Sequence, residues 1–166
     1  MITPQKGSKK KITVEPEEIT EGRDLNYLIR PLTLFFFLAL MNEEKAISET
    51  TILMERLRRS DVKENFVPYL ISRASEVVYQ TENLKTYITK NINEKWILPN
   101  GLDIGPWKEF HKKVSKEEMI SLLWSHVIKF TEQDVLRGLM INKGTHHYRI
   151  SNALKKLGDI TFSINN

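Results

Sequence analysis

The sequence contains no cysteine. This absence excludes disulfide bonds, zinc fingers of the usual cysteine spacing, iron-sulfur clusters and thiol catalysis, and it fits the reducing cytoplasm in which we expect the protein to reside. A glycine-rich phosphate loop, a Ser/His/Asp arrangement and a cluster of carboxylates are also missing from the sequence. We therefore expect no catalytic residue, no cofactor and no enzymatic activity.

No apolar stretch is long enough to cross a bilayer, and we expect no membrane partner. The most hydrophobic run, LTLFFFLALM at residues 32–41, is about ten residues long, whereas a membrane-spanning helix needs roughly twenty. A run of this length is more often core than a partner-binding surface, so it predicts a buried helix. Residues 1–23 alternate basic and acidic blocks with few large apolar residues, which predicts a disordered, solvated tail and not a signal peptide.

The chain is mildly basic. Its net charge of +4 and its pI near 9.2 lie close to the values at which a nucleic-acid partner becomes plausible. Apolar residues recur at helical spacing along the chain. Three segments before residue 96 show this spacing: Leu25–Met41, Lys45–Arg59 and Phe66–Lys90. A short polar turn separates the first two segments. In the third we expect Pro68 near a helix start.

Residues 97–106 (ILPNGLDIGP) have a different composition. Their two glycines, two prolines and Asn-Gly pair predict an irregular connection. We interpret it as a domain boundary and expect an all-α protein with two small helical domains, of which the second is a helix-turn-helix. The N-terminal domain would span 24–95, the linker 96–114 and the C-terminal domain 115–160.

Three capping signals predict helix starts in the C-terminal domain. Ser115 and Glu118 have the spacing of a capping box, Thr131 precedes acidic residues, and Asn142-Lys-Gly-Thr145 combines a turn with a cap. We expect Gly158 to end the last helix. The apolar stripe behind the capping box, predicted to be buried, consists of Ile120, Leu123, Trp124 and Val127.

The spacing of these helices is typical of a helix-turn-helix DNA-binding domain. The last helix would read base edges from its N-terminal end and contact phosphates further along. Arg149 could instead form a salt bridge with Asp134 or Glu132, and a basic helix pair could also be only a solvated bundle. The predicted DNA-binding residues are Lys143, Thr145, His147 and Tyr148 at the N-terminal end, and Arg149, Asn152, Lys155 and Lys156 beyond it.

The adjacent histidines His146 and His147 do not predict a metal site. On a helix their side chains point about 100° apart, and no third His or carboxylate sits at ligand spacing on a shared face. We expect one of them to pack in the core and the other to face DNA.

Residues 129–157 (KFTEQDVLRGLMINKGTHHYRISNALKKL) resemble the fourth conserved region of bacterial sigma factors, which ends in the pattern Gly-Thr-Val-x-x-Arg-Leu-x-x-Ala-x-x-x-Leu. His146 stands where the family usually has Val, which would bury an imidazole beside the core. Met140 stands where the family often has Gly at the turn, which removes the residue best suited to positive φ. The matching residues are Gly144, Thr145, Arg149, Ala153 and Leu157.

The resemblance implies that the N-terminal domain is similar to the family's second region, which binds RNA polymerase and melts the promoter. The apolar residues of segment 38–57 have a spacing similar to that of the family's second region, and Ala46 stands at a matching position. The polymerase-binding positions would be Ser48, Thr51 and Met54. The first two replace the family's Asp and Gln, and the third replaces an aromatic residue.

We therefore expect a sigma-like initiation factor whose partners are double-stranded DNA, the RNA polymerase core and an anti-sigma or other regulatory protein. One alternative is a helix-turn-helix transcriptional regulator with an N-terminal dimerisation module, which the altered polymerase-binding positions favour. The other is a sigma-derived protein-interaction module that no longer reads DNA, which the departures at His146 and Met140 favour.

Overall fold

A computed structural model of the chain describes residues 24–62, 64–81 and 104–164. Within these ranges the protein is built of α-helices and contains no β-strand, which confirms the predicted all-α class. A 3-10 turn, Asn26–Leu28, precedes the first helix, and a π-helical turn, Leu123–Val127, continues the fifth. The helices are α1 (Ile29–Leu40), α2 (Glu43–Arg58), α3 (Phe66–Gln80), α4 (Gly105–Lys113), α5 (Lys116–Leu122), α6 (Glu132–Leu139) and α7 (Lys143–Ile164).

Three sequence predictions fall wholly or mostly on residues outside these ranges. They are the disordered tail at 1–23, the continuation of the third helix from residue 82 to Lys90, and the irregular connection at 97–106, of which Gly105 and Pro106 begin α4. In the part of the chain that is described, no helix combines the length and the apolar character that crossing a membrane requires.

Helices α1 and α2 pack on each other across a short polar turn, as predicted. Met41 ends α1 in the left-handed region with φ 51° and is itself buried. The Asn42 side chain then accepts a hydrogen bond from the Lys45 amide at 2.6 Å and caps α2. The acidic residues Glu43 and Glu44 stand at the positive end of the helix dipole, where they favour the helix start.

One apolar core joins the N-terminal and C-terminal helices. Phe35 of α1 stacks on Trp124 with ring centroids 3.9 Å apart, and Trp124 Nε1 donates a hydrogen bond to Ser75 Oγ of α3 at 2.9 Å. Trp124 is fully buried, which confirms its predicted place in the core. Because its ring is packed and its N–H has a partner, this residue satisfies both demands of a buried indole and connects three helices.

Helix α4 lies within the predicted linker 96–114 and contacts both α1 and α7. Trp107 Nε1 donates to the Leu38 carbonyl oxygen at 2.9 Å, and His111 Nε2 lies 2.7 Å from the same oxygen. A carbonyl oxygen can only accept, so His111 carries a proton on Nε2. The division into two domains stays a prediction. The contacts of α4 with α1 and α7 join residues of both predicted domains in one core.

The predicted caps at Ser115 and Thr131 are both present. Ser115 Oγ accepts a hydrogen bond from the Glu118 amide at 3.2 Å, and Glu118 Oε2 accepts one from the Ser115 amide at 3.0 Å. Thr131 Oγ1 accepts a hydrogen bond from the Asp134 amide at 3.2 Å. Both side chains satisfy amides that the first turn of a helix leaves without a backbone partner.

The prediction that Gly158 ends the last helix is wrong. Helix α7 runs through Gly158 to Ile164. Ile160, two residues beyond the glycine, is buried in the core, so the apolar stripe of α7 continues past it. Burial of that stripe outweighs the low helix propensity of a single glycine.

Candidate nucleic-acid interface

The candidate interface is formed by α6, α7 and the three residues between them, Met140–Asn142. Met140 has φ 53° and is 85% exposed, so a non-glycine residue holds the positive φ at this turn. Asn142 Oδ1 accepts a hydrogen bond from the Thr145 amide at 2.8 Å and caps the start of α7. The predicted turn and cap are both confirmed.

His146 lies on the buried side of α7. It is 1% exposed, and its Nε2 is 3.0 Å from Ser125 Oγ, whereas its Nδ1 has no hydrogen-bond partner among the described residues. Burial lowers the pKa of His146, and the nearby Glu132 carboxylate offsets this only in part. The predicted burial of an imidazole beside the core is confirmed.

The exposed side of α7 carries most of the residues predicted to reach base edges. The exposed side-chain fraction is 65% at Lys143 and 57% at His147, and Tyr148 is also exposed. Thr145 is half-buried. Of the predicted residues further along, Lys155 is exposed, and Arg149, Asn152 and Lys156 are half-buried.

One carboxylate holds two of these exposed side chains. Lys143 Nζ lies 3.1 Å from Glu132 Oε2, and His147 Nε2 donates to Glu132 Oε1 at 2.6 Å. The two residues are four positions apart on α7 and so share a face. The hydrogen bond from Lys143 and then that from His147 lower the pKa of Glu132. Sequence analysis missed this pairing, because only the turn geometry brings the start of α6 to the start of α7.

Lys156 and Asn152 point to the capping box of α5. Lys156 Nζ donates to Glu118 Oε2 at 2.6 Å, and the nearby side chain of Asn152 also lowers the pKa of this carboxylate. Burial raises the pKa of Glu118, but the hydrogen bonds from Lys156 and from the Ser115 amide outweigh it, so the pKa lies below its usual value. Lys156, predicted as a phosphate contact, thus connects α7 to α5.

Arg149 interacts with Tyr79 of α3. Burial raises the pKa of the Tyr79 phenol, and the positive charge of the nearby Arg149 offsets part of that rise. The ion pairs found within the described ranges do not include the predicted alternatives, Arg149 with Asp134 or with Glu132. The sequence pattern does not reveal Tyr79, because the two residues are far apart in the chain and only the tertiary fold brings them close together.

The side of α6 that faces α3 is closely packed. A Cβ atom on Gly138 would lie 2.6 Å from Ile71 Cβ and 2.8 Å from the carbonyl oxygen of Pro68, which is in the first turn of α3 as predicted. At the rim of this contact Arg137 donates a hydrogen bond to Asn65 Oδ1 at 3.3 Å. Gly138 therefore allows two helix backbones to approach each other.

The positions that the resemblance assigns to polymerase binding lie on α2. Ser48 and Thr51 are exposed, and Thr51 Oγ1 donates to the Ile47 carbonyl of its own helix at 2.9 Å. Met54 is 3% exposed and belongs to the core, so its side chain is not on the surface. The exposed apolar side chains on this helix are Ile47 and Ile52.

The described part of the chain contains no group of three or more His, Asp or Glu residues arranged to hold a metal ion. No protein-family model, curated protein or solved structure matches the chain. The resemblance to sigma factors therefore stays a prediction from the sequence.

Proposed function

We propose that this protein is a sigma-like transcription initiation factor in which α6, the turn at Met140 and α7 form a helix-turn-helix that binds promoter DNA. The observation that carries the proposal is the two-sided character of α7. Its buried side packs on α4 and α5, while its capped N-terminal end presents Lys143, His147 and Tyr148 to solvent. A helix-turn-helix reads the major groove with this end of its second helix.

Within this proposal the exposed side chains have different tasks. Tyr148 is 67% exposed, and an aromatic ring at a base edge can pack on a thymine methyl group while its hydroxyl donates or accepts a hydrogen bond. Lys143 and Lys155 are exposed cations suited to phosphates. The N-terminal helices would dock on RNA polymerase, with Ser48 and Thr51 on the exposed side of α2 as the candidate contacts.

The experiment selects duplex DNA from a random pool with the purified protein, and then tests the selected sequence in transcription with core RNA polymerase. We expect site-selective binding and initiation at a defined start. The double variant Lys143→Ala with Tyr148→Ala should lose binding. Arg59→Ala, which removes a cation of 82% side-chain exposure at the end of α2, is the matched control and should keep it. No selected sequence and no initiation would refute the proposal.

A second candidate function is a protein-interaction module that does not read DNA. It is favoured by the partners that three of the predicted DNA contacts already have within the protein: Lys143 and His147 with Glu132, and Lys156 with Glu118. Under this candidate a mobility-shift assay at low salt shows no duplex binding by the wild-type protein. Binding that is lost in the double variant excludes it.

A further inference from the structure

The Glu132 carboxylate contacts both of the exposed side chains that can carry a positive charge at the start of α7, Lys143 and His147. Each of its carboxylate oxygens has one partner, Lys143 Nζ at 3.1 Å and His147 Nε2 at 2.6 Å. Glu132 is the first residue of α6, where the helix dipole favours a negative charge. The carboxylate thus holds Lys143, the side chain at this end of α7 that the proposed function assigns to a DNA phosphate, together with His147.

These contacts can be exchanged on binding. The exposed side-chain fractions are 65% for Lys143, 57% for His147 and 41% for Glu132, and ion pairs with this exposure are weak because water and salt screen them. A phosphate that approaches Lys143 has to displace the carboxylate and also meets its negative charge. Base contacts by Tyr148 do not have this requirement, since none of the contacts of Glu132 involves that ring.

We propose that the Glu132 carboxylate competes with the phosphates of the DNA backbone for Lys143 and His147. This internal competitor lowers the affinity of α7 for duplex DNA of any sequence and so increases the share of the binding free energy that base contacts provide. The inference rests on the proposed function, because it assumes that the start of α7 meets DNA. If Glu132 instead positioned Lys143 and His147 for DNA, its removal would weaken binding.

The test measures equilibrium binding of the full chain to a fluorescent duplex of arbitrary sequence over a series of salt concentrations. Glu132→Gln should raise the affinity about fivefold at low salt, the upper range for an exposed ion pair. It should also steepen the salt dependence by about one unit of log affinity per log salt, as expected for one more phosphate contact. Replacing Lys143 by Ala in the Glu132→Gln background should remove both effects.

The matched control is Glu76→Gln. Glu76 pairs with Arg73 at 2.9 Å, has 48% side-chain exposure and lines a groove between α2 and α3. This variant changes the net charge by the same amount, so it should leave the affinity within about twofold if only local charge matters. Thermal unfolding of both variants checks that the fold is kept.

The outcomes separate the two proposals. Wild-type binding that Glu132→Gln leaves unchanged or weakens overturns the competitor role and leaves the DNA-binding function standing. An equal gain in the Glu76→Gln control also overturns it, because the effect is then one of net charge. Failure of all these proteins to bind duplex DNA at low salt overturns the proposed function and the competitor role together.

Discussion

Replacement of His146 by Val should make the stability of the protein less dependent on pH. His146 is 1% exposed, with Nδ1 unpartnered among the described residues, and burial lowers its pKa below the ordinary value of 6.5. The unfolded chain therefore binds a proton near pH 6.5 that the folded protein does not take up until lower pH. The contribution of neutral His146 to the free energy of unfolding is fully present above pH 6.5. It is lost as the pH falls from 6.5 toward the lowered pKa of His146 in the folded protein.

The size of the effect follows from this linkage. One pH unit below the pKa of the unfolded chain, at pH 5.5, protonation of the unfolded state costs up to about 1.4 kcal/mol of unfolding free energy. Valine has no proton to bind, so His146→Val should lack this loss. The groups whose charge acts on the pKa of His146 are Glu132 and His126 on neighbouring elements and His147 and Arg149 on α7 itself. All four are present in both the wild type and the variant.

The assay is urea unfolding, followed by tryptophan fluorescence, to which the buried Trp124 contributes, at pH 7.5 and pH 5.5. We expect the wild type to lose up to about 1.4 kcal/mol more than His146→Val between the two conditions. The exposed His126 provides the control, and His126→Val should keep most of the wild-type dependence. A difference between wild type and His146→Val that does not change with pH would refute the reasoning.

The remaining predictions concern the backbone of the α6–α7 unit and are measured by the same unfolding assay. Gly138→Ala should cost about 1–3 kcal/mol, since the new Cβ would clash with Ile71 Cβ and with a backbone oxygen; a neutral result would contradict the close approach of α6 and α3. Gly158→Ala should stabilise by about 0.5–1 kcal/mol, because no atom lies within 4 Å of the new Cβ in the middle of α7. Met140→Gly should stabilise by about 1 kcal/mol by relieving positive φ, and a loss of stability would show that the methionine side chain contributes packing.

Local signals made the helix starts predictable. Ser115 and Thr131 cap helices through amides three residues away, so sequence alone brings donor and acceptor together. The same holds for the cap at Asn142, whereas the turn at Met140 was expected from the resemblance. The buried position of His146 was expected from the resemblance, because it stands where sigma factors usually have Val, and it is confirmed.

Contacts between helices were not predictable from spacing. Lys156 is polar, outward-facing on a helical wheel and basic, which fits a phosphate contact, yet its partner Glu118 is 38 residues away in the chain. Tyr79 and Arg149 are likewise far apart in the chain, and only the tertiary fold brings them close together. The end of α7 was misplaced because a glycine is a local stop signal, whereas burial of Ile160 is a tertiary effect that outweighs it.

The ion pairs along α7 bear on how the proposed factor would distinguish one DNA sequence from another. Lys143 and Lys156 face the carboxylates of Glu132 and Glu118, and His146 avoids charge by burial. The field that this helix offers a phosphate backbone is therefore smaller than its number of basic residues suggests. Because affinity for any duplex scales with the phosphates neutralised, we expect discrimination between sequences to depend on base contacts such as those of the exposed ring and hydroxyl of Tyr148.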